Sequence, residues 1–249
     1  MLNKKFFKLI TFLSAKGGTG KSSFCINLAY TLIKQNYDVL IVDTNFLFPN
    51  IDVYLEEAKK GENLKASWDK RKSVIEFIER GKEEIKYLSF STGNILKKHF
   101  EGNTRNILKS LKGNLVNLDF VLVDTPNGIN EDSLYLSTHS DKVVLITTNE
   151  VASLSNTYLL LKYLSKKTAV LPEILINKVV DKDEATTIFN DLKSITKKLL
   201  KVEIKLFGYI PYDKNLEFAV KNGDLPFKNI YSPYTNSIRT ITKNLTKGG

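Results

Sequence analysis

The segment Ala15-Lys16-Gly17-Gly18-Thr19-Gly20-Lys21-Ser22-Ser23 sets three glycines between two lysines and closes on two hydroxyl side chains. Residues of these types at this spacing suit one kind of chemistry. Glycines let successive backbone N–H groups close around a polyphosphate, and a helix starting just after them adds a favourable potential for negative charge. Lys21 stands where an ammonium reaches the β and γ phosphates, and the Ser22 hydroxyl where it would hold Mg²⁺. Gly17, Gly18, Thr19, Gly20 and Ser23 complete the cradle. The flanks agree with this reading. Leu9-Ile10-Thr11-Phe12-Leu13 reads as a strand, and Phe24-Cys25-Ile26-Asn27-Leu28-Ala29-Tyr30 continues with helical periodicity. The expectation is a nucleoside triphosphate site with magnesium.

A second stretch, Asp119-Phe120-Val121-Leu122-Val123-Asp124-Thr125-Pro126-Asn127-Gly128, supplies the matching acid. An apolar strand delivers Asp124 to a sheet edge, and a glycine follows four positions later, where a γ-phosphate would lie. Opposite the loop serine, such a carboxylate orients Mg²⁺ through water.

Elements that can place these groups alternate along the chain. Strands are expected at Lys8–Leu13, Asp38–Val42, Ile85–Ser89, Asp119–Val123, Lys142–Thr147, Ala169–Ile176 and Lys205–Tyr209. Helices are expected around Ser22–Gln35, Val74–Glu79, Asn103–Leu111, Glu150–Ser165 and Asp183–Leu200, with short terminal ones at Leu216–Asn222 and Tyr234–Leu245. This alternation predicts an α/β fold, a mostly parallel twisted sheet with helices on both faces, whose ligands lie at the C-terminal ends of the strands. The 249 residues, 42% hydrophobic, suit one domain over residues 1–249. Glu56–Ser73 is charged and poorly patterned, and reads as a loop in which Trp68 is a packing anchor. The lone Cys25 argues against disulfides and against a cysteine-built metal site within one chain. No apolar run approaches bilayer-spanning length, and the basic N-terminus leads into the first strand rather than an apolar leader segment, so a cytoplasmic location is expected. The net charge of +10 suits an acidic partner such as anionic lipid or nucleic acid, and equally suits a lysine-rich proteome.

The early lysine makes the loop a special one. Lys-Gly-Gly-x-Gly-Lys-Ser/Thr, here from Lys16 to Ser22, resembles the deviant Walker A loop of the MinD/ParA family of P-loop ATPases. The resemblance implies ATP or ADP with Mg²⁺ as cofactors and a homodimer in the ATP-bound form, in which Lys16 crosses the interface to the partner's phosphates. It also implies that Val39-Leu40-Ile41-Val42-Asp43-Thr44-Asn45 is the family's second acidic strand. There Asp43 assists magnesium beside Ser22 and Asp124. The position of the water-activating acid holds Asn45, an amide that holds water but accepts no proton. Binding is therefore expected to be intact, with hydrolysis slow or partner-dependent. By the same resemblance Asn177 reads the adenine edge, and Pro211 and Tyr212 line the base pocket. The plainer readings are a loop cap for Asn177 and a structural turn for the other two.

Pro49-Asn50-Ile51-Asp52 and Asp124-Thr125-Pro126-Asn127-Gly128-Ile129 resemble the MinD/FlhG side of the family rather than its ParA side, and Phe207-Gly208-Tyr209-Ile210-Pro211-Tyr212-Asp213 resembles in particular the FlhG (YlxH) branch, whose members regulate flagellar number and placement. That branch implies an FlhF-like GTPase or another protein partner and peripheral association at the inner face of the membrane. A family-type membrane helix is one reading of Ile238, Ile241 and Leu245, and packing on the domain's own sheet is the favoured one. Two alternatives stay open. One is a ParA-type partition protein binding DNA through Lys193, Lys197, Lys198 and Lys201. The other is an interaction module that binds nucleotide without turnover. Iron–sulfur carriers of the family are disfavoured by the single cysteine.

Overall fold

Uninterrupted apolar runs form the centre of the sheet, because strands covered on both faces have no side to give to water. The computed structural model describes residues 7–46, 49–55, 74–89, 104–114, 117–168, 171–216 and 231–247. The first half runs β1 (Lys8–Ser14), α1 (Lys21–Ile33), β2 (Val39–Asp43), α2 (Ile51–Leu55), a 3₁₀ turn (Val74–Phe77), β3 (Glu79–Arg80), a second 3₁₀ turn (Lys82–Glu84) and β4 (Lys86–Leu88). Next come α3 (Thr104–Asn114), β5 (Phe120–Asp124), α4 (Glu131–His139), β6 (Lys142–Thr148) and α5 (Val151–Leu164). The chain closes with β7 (Glu173–Val179), α6 (Lys182–Leu200), β8 (Leu206–Pro211) and α7 (Pro233–Lys247).

Among the described residues the eight strands order as β3-β4-β2-β5-β1-β6-β7-β8. All neighbours are parallel except the β3–β4 pair. Alternate residues of one strand feed opposite faces. Ile10 and Phe12 of β1 pack with α1 and α7, whereas Leu9 packs with Ile107, Leu108 and Leu111 of α3 and Leu136 of α4. Leu13 belongs to a third cluster beneath α5 and α6. The expected two-sided parallel sheet is what forms.

The last helix packs as the favoured reading of its stripe expects. Ile238, Ile241 and Leu245 are 0%, 4% and 4% exposed, against α1 and β8. The apolar stripe is spent on the domain's own core. No helix among the described residues is long and apolar enough to cross a membrane.

Several elements differ from expectation. Val74–Glu79 is a single 3₁₀ turn followed by a two-residue antiparallel edge strand, not a helix. The chain turns back there because Gly81 lies flat against the Leu55 backbone, and Glu83 and Glu84 take positive φ. Helix α4 is an element that the apolar pattern does not announce, although Asn130 and Ser133 form a capping box ahead of it and Glu131 and Asp132 occupy its first turn. The strand expected at Ala169–Ile176 starts at Glu173, after Pro172, and runs on to Val179, and the next one runs on to Pro211. The loop around Trp68 and the short helix at Leu216–Asn222 lie wholly or largely outside the described residues.

Candidate nucleotide site

The loop between β1 and α1 is held open by glycine. Gly18 and Gly20 have φ of 77° and 85°, values that side chains with a Cβ adopt at a cost. Gly20 is the N-cap of α1, and no side chain caps its N–H groups, which leaves the helix terminus as a donor surface for an anion. A cavity of about 420 Å³ opens beside it, lined by Gly18 to Phe24, Asn45, Asn50, Tyr54, Thr125, Asn127, Asn177, Lys178, Ile210 to Asp213, Leu216 and Tyr234. Loop, second acidic strand, Asn177 and the Pro211-Tyr212 turn, far apart in sequence, are thus brought to one wall.

Behind the wall stand the two acids. β2 and β5 pair so that Asp43 and Asp124 are register partners, and they are 1% and 2% exposed. Asp124 accepts from the Lys21 ammonium and, at 2.5 Å, from Ser22 Oγ. Lys21 also donates to the Thr125 carbonyl. Asp43 organises the next loop instead, accepting from the backbone N–H of Asn45 (2.9 Å), Asn50 (2.9 Å) and Ile51 (3.2 Å). Two carboxylates and one hydroxyl at a phosphate loop fit Mg²⁺, which keeps several waters and takes its other ligands from phosphate. Among the described residues no group of three or more His, Cys, Asp or Glu gathers into a protein-only metal cage.

The Asp43 carboxyl is pushed up to about 6, first by burial and next by the Asp124 charge, against the three backbone donors that favour its ionised form. Between the ordinary carboxylate range near pH 4 and about 6, the native protein therefore holds a proton that the unfolded chain has released. This contribution makes the nucleotide-free fold more stable as pH falls through about 6, whereas Mg-nucleotide binding that drew on a charged Asp43 would weaken. Thermal melts and Mg-nucleotide titrations between about pH 5 and 7.5 are expected to move in opposite directions; parallel trends would refute the assignment.

Lys16 has different surroundings from Lys21. Its side chain is 40% exposed and ion-pairs with Glu150, the residue capping α5. That lysine holds the Glu150 carboxyl below its usual range. The Asn177 amide meets the loop itself, donating to the Thr19 carbonyl at 2.7 Å. Tyr212 donates its N–H to Val179 O at 2.7 Å, tying the cavity's outer turn to β7.

Several lining residues escaped sequence reasoning. Tyr234 reaches the cavity from α7, its hydroxyl accepting from Asn27 Nδ2 at 2.9 Å, and burial pushes its phenol well above the usual range. Nothing in the spacing marks a tyrosine 207 positions from its partner. Lys178 follows Asn177 directly and donates to Gly18 O; adjacency to a chosen residue was its one available signal. Asn127 accepts from Ser14 Oγ at 2.9 Å and abuts Gly17. Cys25 is fully buried and its thiol is pushed up, chiefly by desolvation.

Comparison with known proteins agrees with this geometry. The ParA family profile, described as NUBPL iron-transfer P-loop NTPase, matches residues 5–246. The antiactivator FleN of Pseudomonas aeruginosa is 24% identical over 216 residues, covering 86% of this chain and 77% of that protein. The flagellum site-determining protein YlxH of Helicobacter pylori is 28% identical over 221 residues, covering 88% and 74%. The septum site-determining protein MinD complexed with Mg-ADP, from Pyrococcus horikoshii OT3, superposes with a TM-score of 0.74 over 97% of each chain at 19% identity. The resemblance read from the loop is borne out, and so are nucleotide and Mg²⁺ as cofactors. The iron-transfer description finds no cysteine set here, since the single Cys25 is sealed in the core.

Proposed function

The chain belongs to the ParA family of P-loop NTPases, and from that premise we propose that it is an ATP-dependent dimerising switch for spatial regulation, of the kind named in its relative YlxH, a flagellum site-determining protein. The observation that carries this reading is the division between the two loop lysines. Lys21 is 7% exposed and committed to Asp124, while Lys16 sits at the rim, held by the exposed Glu150. A lysine at the rim suits contact with phosphates bound to a second copy of the chain. Val151 and Leu159 of neighbouring α5, 81% and 57% exposed, offer apolar area to the same approach.

In this reading Lys21 and the loop N–H groups bind the phosphates, and Ser22, Asp124 and Asp43 hold Mg²⁺, which neutralises phosphate charge. Asn45, on the cavity wall, holds water without taking its proton, so the ATP-bound dimer is long-lived and hydrolysis waits on a partner. That partner is a protein, an FlhF-like GTPase being the chemistry the branch suggests; a membrane surface and DNA are the other effectors to compare.

Light scattering with ADP and with ATP plus Mg²⁺, read alongside phosphate release, tests the switch. A dimer with ATP alone is expected, with little release. Lys16→Ala is expected to stay monomeric while keeping ATP affinity within about threefold, because Lys16 is not among the residues that line its own cavity and pairs with Glu150 instead. A monomer of the unmodified chain in both nucleotides would sink the reading. Adding anionic vesicles, DNA or the GTPase to the dimer then separates the effectors.

A further inference from the structure

Two consecutive residues at the end of β7, both lining the cavity, hold two consecutive carbonyls of the phosphate loop. Lys178 Nζ donates to Gly18 O at 2.9 Å, and Asn177 Nδ2 donates to Thr19 O at 2.7 Å. Asn177 is 7% exposed, so little water competes for its bond. The backbone is bent to allow this. Lys178 has φ of 62°, a left-handed conformation uncommon for a residue with a Cβ. The β7–β8 register also slips between Asn177 and Val179. Asn177 Oδ1 accepts from the Lys178 N–H at 2.9 Å and braces the turn from within. Strain of this kind persists where surrounding contacts impose it, and such places cluster at functional sites.

A planar trans peptide points its C=O and the next N–H in opposite directions, and the described residues contain no cis bond. Drawing the Gly18 carbonyl toward Lys178 therefore turns the Thr19 N–H away from β7, and drawing the Thr19 carbonyl toward Asn177 does the same for the Gly20 N–H. In the sheet order β1 stands between β5 and the β6–β7 side, so away from β7 is toward Thr125 and Asn127 on the cavity's other wall. We propose that Asn177 and Lys178 are positioning residues that preset the phosphate loop, fixing two of its carbonyls toward β7 so that the following N–H groups already face the polyphosphate on the opposite side. Preset donors cost no reorganisation when the anion arrives. The inference rests on the nucleotide site described above and is independent of dimerisation. It gives Asn177 a task directed at the loop rather than at the base.

Calorimetric titration of the full chain with Mg-ATP and with Mg-tripolyphosphate, which has no base, tests it. Lys178→Met is expected to weaken both ligands alike by about tenfold. Lys178→Arg, whose guanidinium still reaches Gly18 O, is expected to restore most of that. Lys178→Gly removes the ammonium and relieves the left-handed backbone. It should fold at least as well and lose the same factor, which separates the pin from general destabilisation. Hydrogen exchange at the Thr19 and Gly20 amides should quicken in the Met and Gly variants. Unchanged affinities would overturn the proposal. So would a loss confined to ATP, which would mark a base contact, or a loss that disappears in high salt, which would mark loose charge attraction. If the unmodified chain bound neither ligand, the nucleotide site itself would fall, and the pin with it.

Discussion

Replacing Lys21 by alanine is expected to weaken ATP binding by about a hundredfold and to destabilise the nucleotide-free fold by about 3–5 kcal/mol. The two losses have different origins. The first is the charge-assisted bond to phosphate. The second arises because Lys21 is the buried counter-ion of Asp124, with the side chains 7% and 2% exposed. Removing one member leaves the other charged without its partner inside the protein, which costs more than the pair contributes. The double variant Lys21→Ala with Asp124→Asn removes both charges. It should recover most of the stability and none of the binding. Chemical denaturation and nucleotide titration of both variants check this. A single variant as stable as the unmodified protein would mean that the ion pair is already solvated, and recovery of binding in the double variant would remove Lys21 from the phosphate site.

Asn45→Asp is expected to raise steady-state ATP turnover by about a hundredfold, the usual scale for a positioned general base. Asn45 lies on the cavity wall, and its backbone N–H is fixed by Asp43 Oδ1 at 2.9 Å. The substitution therefore alters the side chain's chemistry on a backbone already held. A carboxylate there takes a proton from water, which an amide does not. The added charge lies near Asp43 and Asp124, so the variant should need more Mg²⁺ to reach full affinity. Phosphate release and the ATP-bound dimer's lifetime measure the effect together: faster release with a shorter-lived dimer is the expected pair. Robust release by the unmodified chain would show that another group positions the water and that Asn45 is not the brake.

The loop, the apolar strands that end in Asp43 and Asp124, and the two-sided parallel sheet were legible because each is a local pattern. Glycine spacing, an unbroken apolar run and the 3.6-residue period act within a few positions, so their physics is written in neighbouring residues. Helix α4 could have been read from its Asn130 cap. The edge strand β3 is different: two charged residues, Glu79 and Arg80, carry no strand signal and pair through the hairpin that Gly81 and the following turn impose.

The sequence by itself determined what the site binds, because the chemistry of phosphate and magnesium is matched by residue type at short range. Tertiary structure decided how the site is supported. Lys178 becomes a loop-holding residue through a left-handed backbone and a slipped register. Tyr234 joins the cavity when α7 packs across α1. Lys16 acquires Glu150 from the start of a helix 134 positions away. Such contacts depend on where the folded sheet brings chain segments together, and no local spacing encodes that distance. The same is true of the apolar stripe in the last helix, whose spacing favours a core without excluding a membrane and which the fold places in the core.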